Sequence, residues 1–179
     1  MSKPSAPVGV LLAAGAGTRY GMPKVLAAQG EWLYRAVFAL VDGGCGDVVV
    51  VLGAAVVEVP PPARAVVATD WADGVSASLR AGLDAVSDAA TVVLHTVDTP
   101  DIGADAVARV LAAAEPTGLA RAVYDGRPGH PVVISSRHRS ELLATLAGDQ
   151  GARTFLAGRT DVVAVECADL ASGADIDVR

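Results

Sequence analysis

The sequence predicts an α/β fold with a doubly wound, mainly parallel sheet and helices on both faces. Three observations carry that prediction. Short runs made almost wholly of Val, Leu and Ile recur along the chain, as in 47–52 (DVVVVL), and continuous apolar runs of this length suit strands covered on both sides. Segments of helical periodicity alternate with them, and alternating strand and helix is the pattern of α/β proteins. The length of 179 residues accommodates one domain, residues 1–179, with a full core.

In chain order, residues 8–13 (VGVLLA) read as the first buried strand. Residues 32–41 follow with apolar side chains at Leu33, Val37, Leu40 and Val41, and 47–52 is the second strand. "PPP" at 60–62 marks a turn within the domain. Residues 74–86 place Val75, Leu79, Leu83 and Val86 on one helical face. Residues 91–97 (TVVLHTV) form the third strand, and 105–114 a helix with Val107, Val110 and Leu111 inward. Residues 119–124, 131–134 and 162–166 are further strand candidates. Right-handed crossovers place the helices on both faces. Ligands of such sheets sit beyond the carboxyl ends of strands, where strand order switches, so residues just after 13 and just after 97 are expected to line one site.

Composition narrows the function. A net charge of −6 argues against a general nucleic-acid binder, yet leaves room for an anionic small substrate held by local positive charge. No uninterrupted apolar run reaches the roughly eighteen residues of a membrane span. The start, MSKPSAPVGV, lacks a signal-peptide apolar core, so a cytoplasmic location is expected. Cys45 and Cys167 are far apart and form no C-x-x-C, which fits core thiols.

The stretch LLAAGAGTRYGMPKVLA, residues 11–27, follows the first strand with Gly15, Gly17 and Gly21. A dinucleotide fingerprint needs its third glycine or alanine where Tyr20 stands, and an immediate helix that Pro23 would interrupt. A Walker A loop needs Lys followed by Ser or Thr, whereas Lys24 lies between Pro23 and Val25. Phosphate remains the natural ligand, because glycines let backbone N–H groups approach an anion closely. Arg19 can fork onto two phosphate oxygens, and Lys24 supplies a compact point charge. Only Lys3 and Lys24 are lysines, against twelve arginines, and no acid precedes Glu31. Two cations without a neighbouring acid suit a triphosphate better than a dinucleotide.

The segment VVLHTVDTPDI ends a buried strand at Asp98, and Pro100 forces the chain to turn there. Asp98 is therefore expected at the same sheet edge as the glycine loop. A carboxylate beside a triphosphate makes sense with Mg²⁺ between them, since that ion takes one or two carboxylates plus phosphate oxygens. Asp101 suits the N-cap of the next helix. His95 lies inside the strand and reads as a core residue.

LAAGAGTRYGMPKVL resembles the signature loop of the MobA-like nucleotidyltransferases, and its LAAG start is similar to the MocA-type molybdopterin cytidylyltransferases. The resemblance implies a Rossmann-like domain and a nucleotidyltransferase of EC 2.7.7 type. By position, Leu12, Ala13, Ala14, Gly15, Ala16 and Gly17 would bind the nucleotide, while Arg19 and Lys24 would hold its phosphates and stabilise leaving pyrophosphate. Asp98 falls in the family's metal-binding D-x-P motif. DWADGVSASLRAGL resembles a stretch beside the nucleotide, which assigns Ser76 and Ser78 to it and leaves Trp71 as a wall or core residue. His130, in a G-H-P match, contacts an acceptor phosphate or fixes its loop. In GDQGARTFL, Asp149 suits the N-cap of the helix carrying Phe155 and Leu156, and Arg153 reaches an anionic substrate or pairs with Asp149. The final GADIDVR matches two metal-site acids, Asp175 and Asp177, but Val178 and Arg179 replace the family's Thr-Pro, and the acid that follows them there is missing. Transfer of a nucleotide from CTP to molybdopterin with Mg²⁺ is the implied reaction. Another phosphorylated acceptor, such as a phospholactate-like acid or a sugar phosphate, and a nucleotide-binding module without chemistry are the alternatives. The implied protein partner is a transient contact with a molybdoenzyme or maturation factor.

Overall fold

A computed structural model of the chain describes residues 5–178; Lys3 and Arg179 lie outside the described residues. One sheet of seven strands organises it, comprising β1 (Val8–Ala13), β2 (Asp47–Leu52), β3 (Arg64–Val67), β4 (Thr91–Thr96), β5 (Leu119–Tyr124), β6 (Arg127–Ser135) and β7 (Val163–Glu166). The helices are α1 (Glu31–Asp42), α2 (Val75–Ala85), α3 (Ala104–Ala113), α4 (Arg139–Thr145) and α5 (Arg153–Leu156). The strand order is β3-β2-β1-β4-β6-β5-β7. All pairings are parallel except those of β6, which runs antiparallel to both β4 and β5.

The α/β prediction holds, and the early strands fall where the apolar runs place them. β3 has no counterpart in the sequence reading. It is a four-residue edge strand whose side chains are mostly exposed, so it carries no continuous apolar run. β6 begins four residues before the expected 131, at Arg127, because its first half only continues the hairpin from β5 and is largely exposed.

Successive residues of the central strands serve opposite layers. On β1, Leu11 belongs with Leu33, Val37, Leu40, Val107 and Val110 of α1 and α3, whereas Val10 belongs with Leu79 and Leu83 of α2. Both Val10 and Leu11 are wholly buried, which explains why these strands read as unbroken apolar runs. Each such side chain contributes about 1.5–3 kcal/mol through burial. Close approach of α2 requires Gly82, where a Cβ would come within 2.6 Å of Val10 Cγ1.

The switch in strand order lies between β1 and β4. Leu12 pairs with Thr96 across it, and the Val97 amide donates to the Leu12 carbonyl at 3.2 Å. The chain after β1 leaves towards α1 and β2, while the chain after β4 leaves towards α3, so a crevice opens at their carboxyl ends.

His95 on β4 is wholly buried, and among the described residues neither ring nitrogen has a hydrogen-bond partner. Burial, with a smaller contribution from His130, lowers its pKa from 6.5 to about 3. The unfolded chain therefore takes up a proton that the folded chain refuses. Stability from this group is complete above about pH 6.5 and is lost as pH falls towards about 3. Urea denaturation should show a midpoint that drops through this window, with a shallower drop in His95→Leu by up to about one proton.

Candidate active site

The segment after β1 turns tightly instead of entering a helix. Gly17 and Gly21 adopt φ of +63° and +97°, and the Gly21 amide donates to the Gly17 carbonyl at 2.8 Å. A Cβ on Gly17 would lie 1.8 Å from the Met22 carbonyl oxygen, so both space and backbone angle demand glycine there. Pro23 then leads into Lys24–Gly30, where helical turns are broken by non-helical backbone at Ala27, Ala28 and Gln29, and α1 starts only at Glu31. That geometry differs from a dinucleotide fold, where the glycine turn opens directly into a helix. The Ala54 amide donates to the Ala14 carbonyl at 2.9 Å and anchors the loop to the end of β2. Tyr20 packs against Trp32 with ring centroids 5.2 Å apart, which holds the far side of the loop.

A cavity of about 620 Å³ lies at this sheet edge. Leu12, Ala13, Ala14, Gly15, Ala16, Gly17, Arg19, Lys24, Ser78, Asp98 and Asp177 line it together. Residues after β1 and after β4 thus meet in one site, as the strand order requires. Trp71 forms part of the wall.

Ser76 takes a different position. It is buried, its Oγ accepts from the Gly151 amide at 3.0 Å, and its own amide donates to the Gly148 carbonyl at 2.9 Å. It fastens the 148–151 loop and does not line the cavity. Asp149 in that loop also departs from expectation. Its Oδ1 accepts from the Val75 amide at 3.2 Å, capping α2 from outside, while the N-cap of α5 is Ala152 with no side-chain cap bond. Gly148 and Gly151, both at φ +53°, turn the loop back onto α2. Asp149 consequently reaches the cavity wall, a placement that a local capping pattern does not reveal.

Three carboxylates converge nearby, two of the chain's last acids meeting Asp98. Asp98, Asp175 and Asp177 each offer an oxygen, and these atoms lie within 4.8 Å of one another. The separation approaches the about 4.2 Å between two opposite ligands of a Mg²⁺ ion, and hard carboxylate oxygens are the donors that ion prefers. Lys24 Nζ donates to Asp98 Oδ2 at 3.1 Å and to Asp177 Oδ1 at 2.7 Å. Burial works against the Lys24 charge, but these bonds outweigh it and raise its pKa. Bonds from Lys24 and Asp175 lower the Asp177 carboxyl, whereas the bond to Asp177 raises that of Asp175. The carboxylates therefore already gather around a cation, and the donor set fits a divalent ion.

The acids of the C-terminal segment come from residues without regular secondary structure. The Ile176 amide donates to the Asp98 carbonyl at 2.9 Å and brings the segment to the end of β4. Asp101 is not the N-cap of α3, which is Gly103 without a side-chain cap bond. Its Oδ2 instead accepts from the Ser172 amide at 2.7 Å and the Ser172 hydroxyl at 2.6 Å.

His130 lies outside the cavity lining, and its carbonyl accepts from the Tyr124 hydroxyl at 2.6 Å. Burial lowers its pKa to about 4; Asp98 opposes that shift and Arg121 adds to it. Among the described residues, Arg153 makes no ion pair with Asp149. Arg121, which the sequence reading passed over, has a buried Nε without a hydrogen-bond partner. Burial, together with Arg153, lowers its pKa. Only its position inside an apolar strand could have marked it.

Comparison with known proteins agrees with the fold. A model of the MobA-like NTP transferase domain matches residues 9–164. Nicotine blue oxidoreductase of Paenarthrobacter nicotinovorans is 37% identical over 185 residues, covering 94% of this chain and 91% of the relative. The crystal structure of Rv0371c from Mycobacterium tuberculosis H37Rv is similar with TM-score 0.79 and 27% identity, covering 98% of this chain and 95% of that one. A structure of Rv0371c in complex with manganese is similar with TM-score 0.70 and 25% identity, over 91% and 89% of the two chains. Among the described residues, no helix is long and apolar enough to cross a membrane.

Proposed function

The chain belongs to the MobA-like NTP transferase family, and from that premise we propose that it transfers CMP from CTP to the phosphate of molybdopterin, releasing pyrophosphate. The observation that carries the reading is the meeting of Lys24, Asp98 and Asp177 in a cavity that the glycine loop also lines.

Backbone N–H groups of Gly15, Ala16 and Gly17 receive the nucleotide phosphates, with no side chain longer than a methyl in the way. Arg19 forks onto phosphate oxygens, and Lys24 neutralises the pyrophosphate as it leaves. Asp98, Asp175 and Asp177 would hold Mg²⁺, which would supply charge neutralisation to the triphosphate. An acceptor phosphate oxygen attacks the α-phosphorus, a P–O bond forms there, and the bond to pyrophosphate breaks. A phosphate monoester is already ionised near neutral pH, its second pKa being about 6, so the attack needs no general base from the protein. Positioning and electrostatics then account for catalysis. The choice of CTP and molybdopterin rests on the LAAG resemblance. A cytoplasmic setting and a transient contact with a molybdoenzyme or maturation factor go with that choice.

Pyrophosphate release with a panel of four NTPs, with and without molybdopterin and Mg²⁺, tests the reading. Release only with CTP and molybdopterin supports it. Release with a phospholactate-like acid or a sugar phosphate instead would move the acceptor, and nucleotide binding without release would indicate a module without chemistry. The name of the Paenarthrobacter relative favours one further reading, an oxidoreductase. Oxidation of NADH or NADPH by the purified protein, with no pyrophosphate formed from any NTP, would establish that reading in place of the first.

A further inference from the structure

We propose that Asp101 is a positioning residue for the acidic cluster: its clasp on Ser172 holds the C-terminal segment so that Asp175 and Asp177 face Asp98. The inference rests on the transferase reading, in which these three carboxylates hold the divalent ion.

Neither Asp175 nor Asp177 belongs to a helix or strand, so tertiary fastenings must set their positions. After β7 the Cys167 amide donates to the Val123 carbonyl at 2.8 Å, and Arg109 of α3 holds the Asp169 carboxylate at 2.7 and 2.9 Å. From there the chain crosses to the end of β4. Gly173, at φ +67°, lies against the Tyr124 ring, where a Cβ would sit 2.2 Å from Cδ2. Ser172 is bound on its N-terminal side by two donors to one Asp101 oxygen, and its Oγ also accepts from the Ala174 amide at 3.2 Å. Hydrogen bonds to an ionised acceptor are the stronger kind.

Asp101 is suited to this work by its place in the turn. It stands three residues beyond Asp98, just past the turn that Thr99 closes by donating to the Thr96 carbonyl at 3.2 Å. The Ile102 amide donates to the Thr99 carbonyl at 3.2 Å and stiffens the turn further. Two consecutive turns thus carry the first metal ligand and fasten the segment that brings the other two. Ile176, bound to the Asp98 carbonyl, completes the attachment between the two acids. Removing the Asp101 carboxylate frees the segment at Ser172, between the Arg109–Asp169 pair before it and the Ile176 bond and Lys24–Asp177 pair after it.

Titration of the full chain with Mn²⁺, followed by electron paramagnetic resonance, tests the clasp without reading activity. Asp101→Ala should weaken Mn²⁺ binding by about tenfold, the scale of losing hydrogen bonds to a charged group. Asp101→Asn, whose amide oxygen can still accept from Ser172, should lose less. In a background carrying Asp175→Asn and Asp177→Asn, Asp101→Ala should cause no further loss, because the segment then brings no carboxylate. All titrations are run well below the measured Tm of each variant. Unchanged affinity in Asp101→Ala, or an equal loss in both backgrounds, would overturn the inference alone. Absence of Asp98-dependent Mn²⁺ binding in the unaltered protein would overturn both the inference and the metal reading beneath it.

Discussion

Asp98→Asn is expected to lower pyrophosphate release by about 10²-fold or more, with the fold intact. Asparagine keeps the shape and one acceptor oxygen but removes the charge, so the substitution isolates electrostatics. Asp98 stands at the end of β4, a strand whose core residues Val93 and Leu94 are buried, and it cannot move far to compensate. Loss of one charge partner of the transition state costs about 10²–10³-fold in rate. Mn²⁺ binding should weaken in parallel, since Asp98 is the acid that the other two approach. Steady-state kinetics over a range of Mg²⁺ concentrations provides the check. Rates restored to the unaltered level by high Mg²⁺ would indicate lost affinity alone, and rates that stay low would indicate lost transition-state stabilisation.

Lys24→Ala should also reduce turnover by about 10²-fold or more, but with a different signature. The ammonium contacts both Asp98 and Asp177, two of the three acids that would hold a divalent ion. Removing it leaves the acids without their protein counter-charge, so Mn²⁺ should bind at least as tightly as in the unaltered chain. Turnover falls even so, because the leaving pyrophosphate loses a cation. The two variants therefore separate on metal binding while agreeing on rate. Near-normal turnover in Lys24→Ala, with the protein folded, would remove Lys24 from the chemistry.

Most of what forms the cavity was legible because it depends on short-range pattern. The apolar runs of β1, β2 and β4 are unbroken since each strand is covered on both faces, and the glycine turn and Pro100 mark the strand ends where a ligand sits. Lys24 was conspicuous as a lysine within a chain rich in arginine. The parts that were not legible depend on contacts between distant segments. Asp149 and Asp101 both look like local caps, since Asp near a helix start usually is one, yet each bonds to a partner more than seventy positions away. Ser76 shares its helix turn with Ser78, but one faces the 148–151 loop and the other the cavity, a difference of rotation that spacing alone leaves open. β3 escaped notice because an exposed edge strand has no apolar signature.

Pyrophosphate release from CTP in the presence of molybdopterin, measured with and without Mg²⁺, decides whether the cavity carries out metal-dependent nucleotide transfer. One pyrophosphate is expected per nucleotide transferred, dependent on the metal and on Asp98. Metal-independent release, or none with any NTP while the protein is folded and saturated with Mg²⁺, would contradict it.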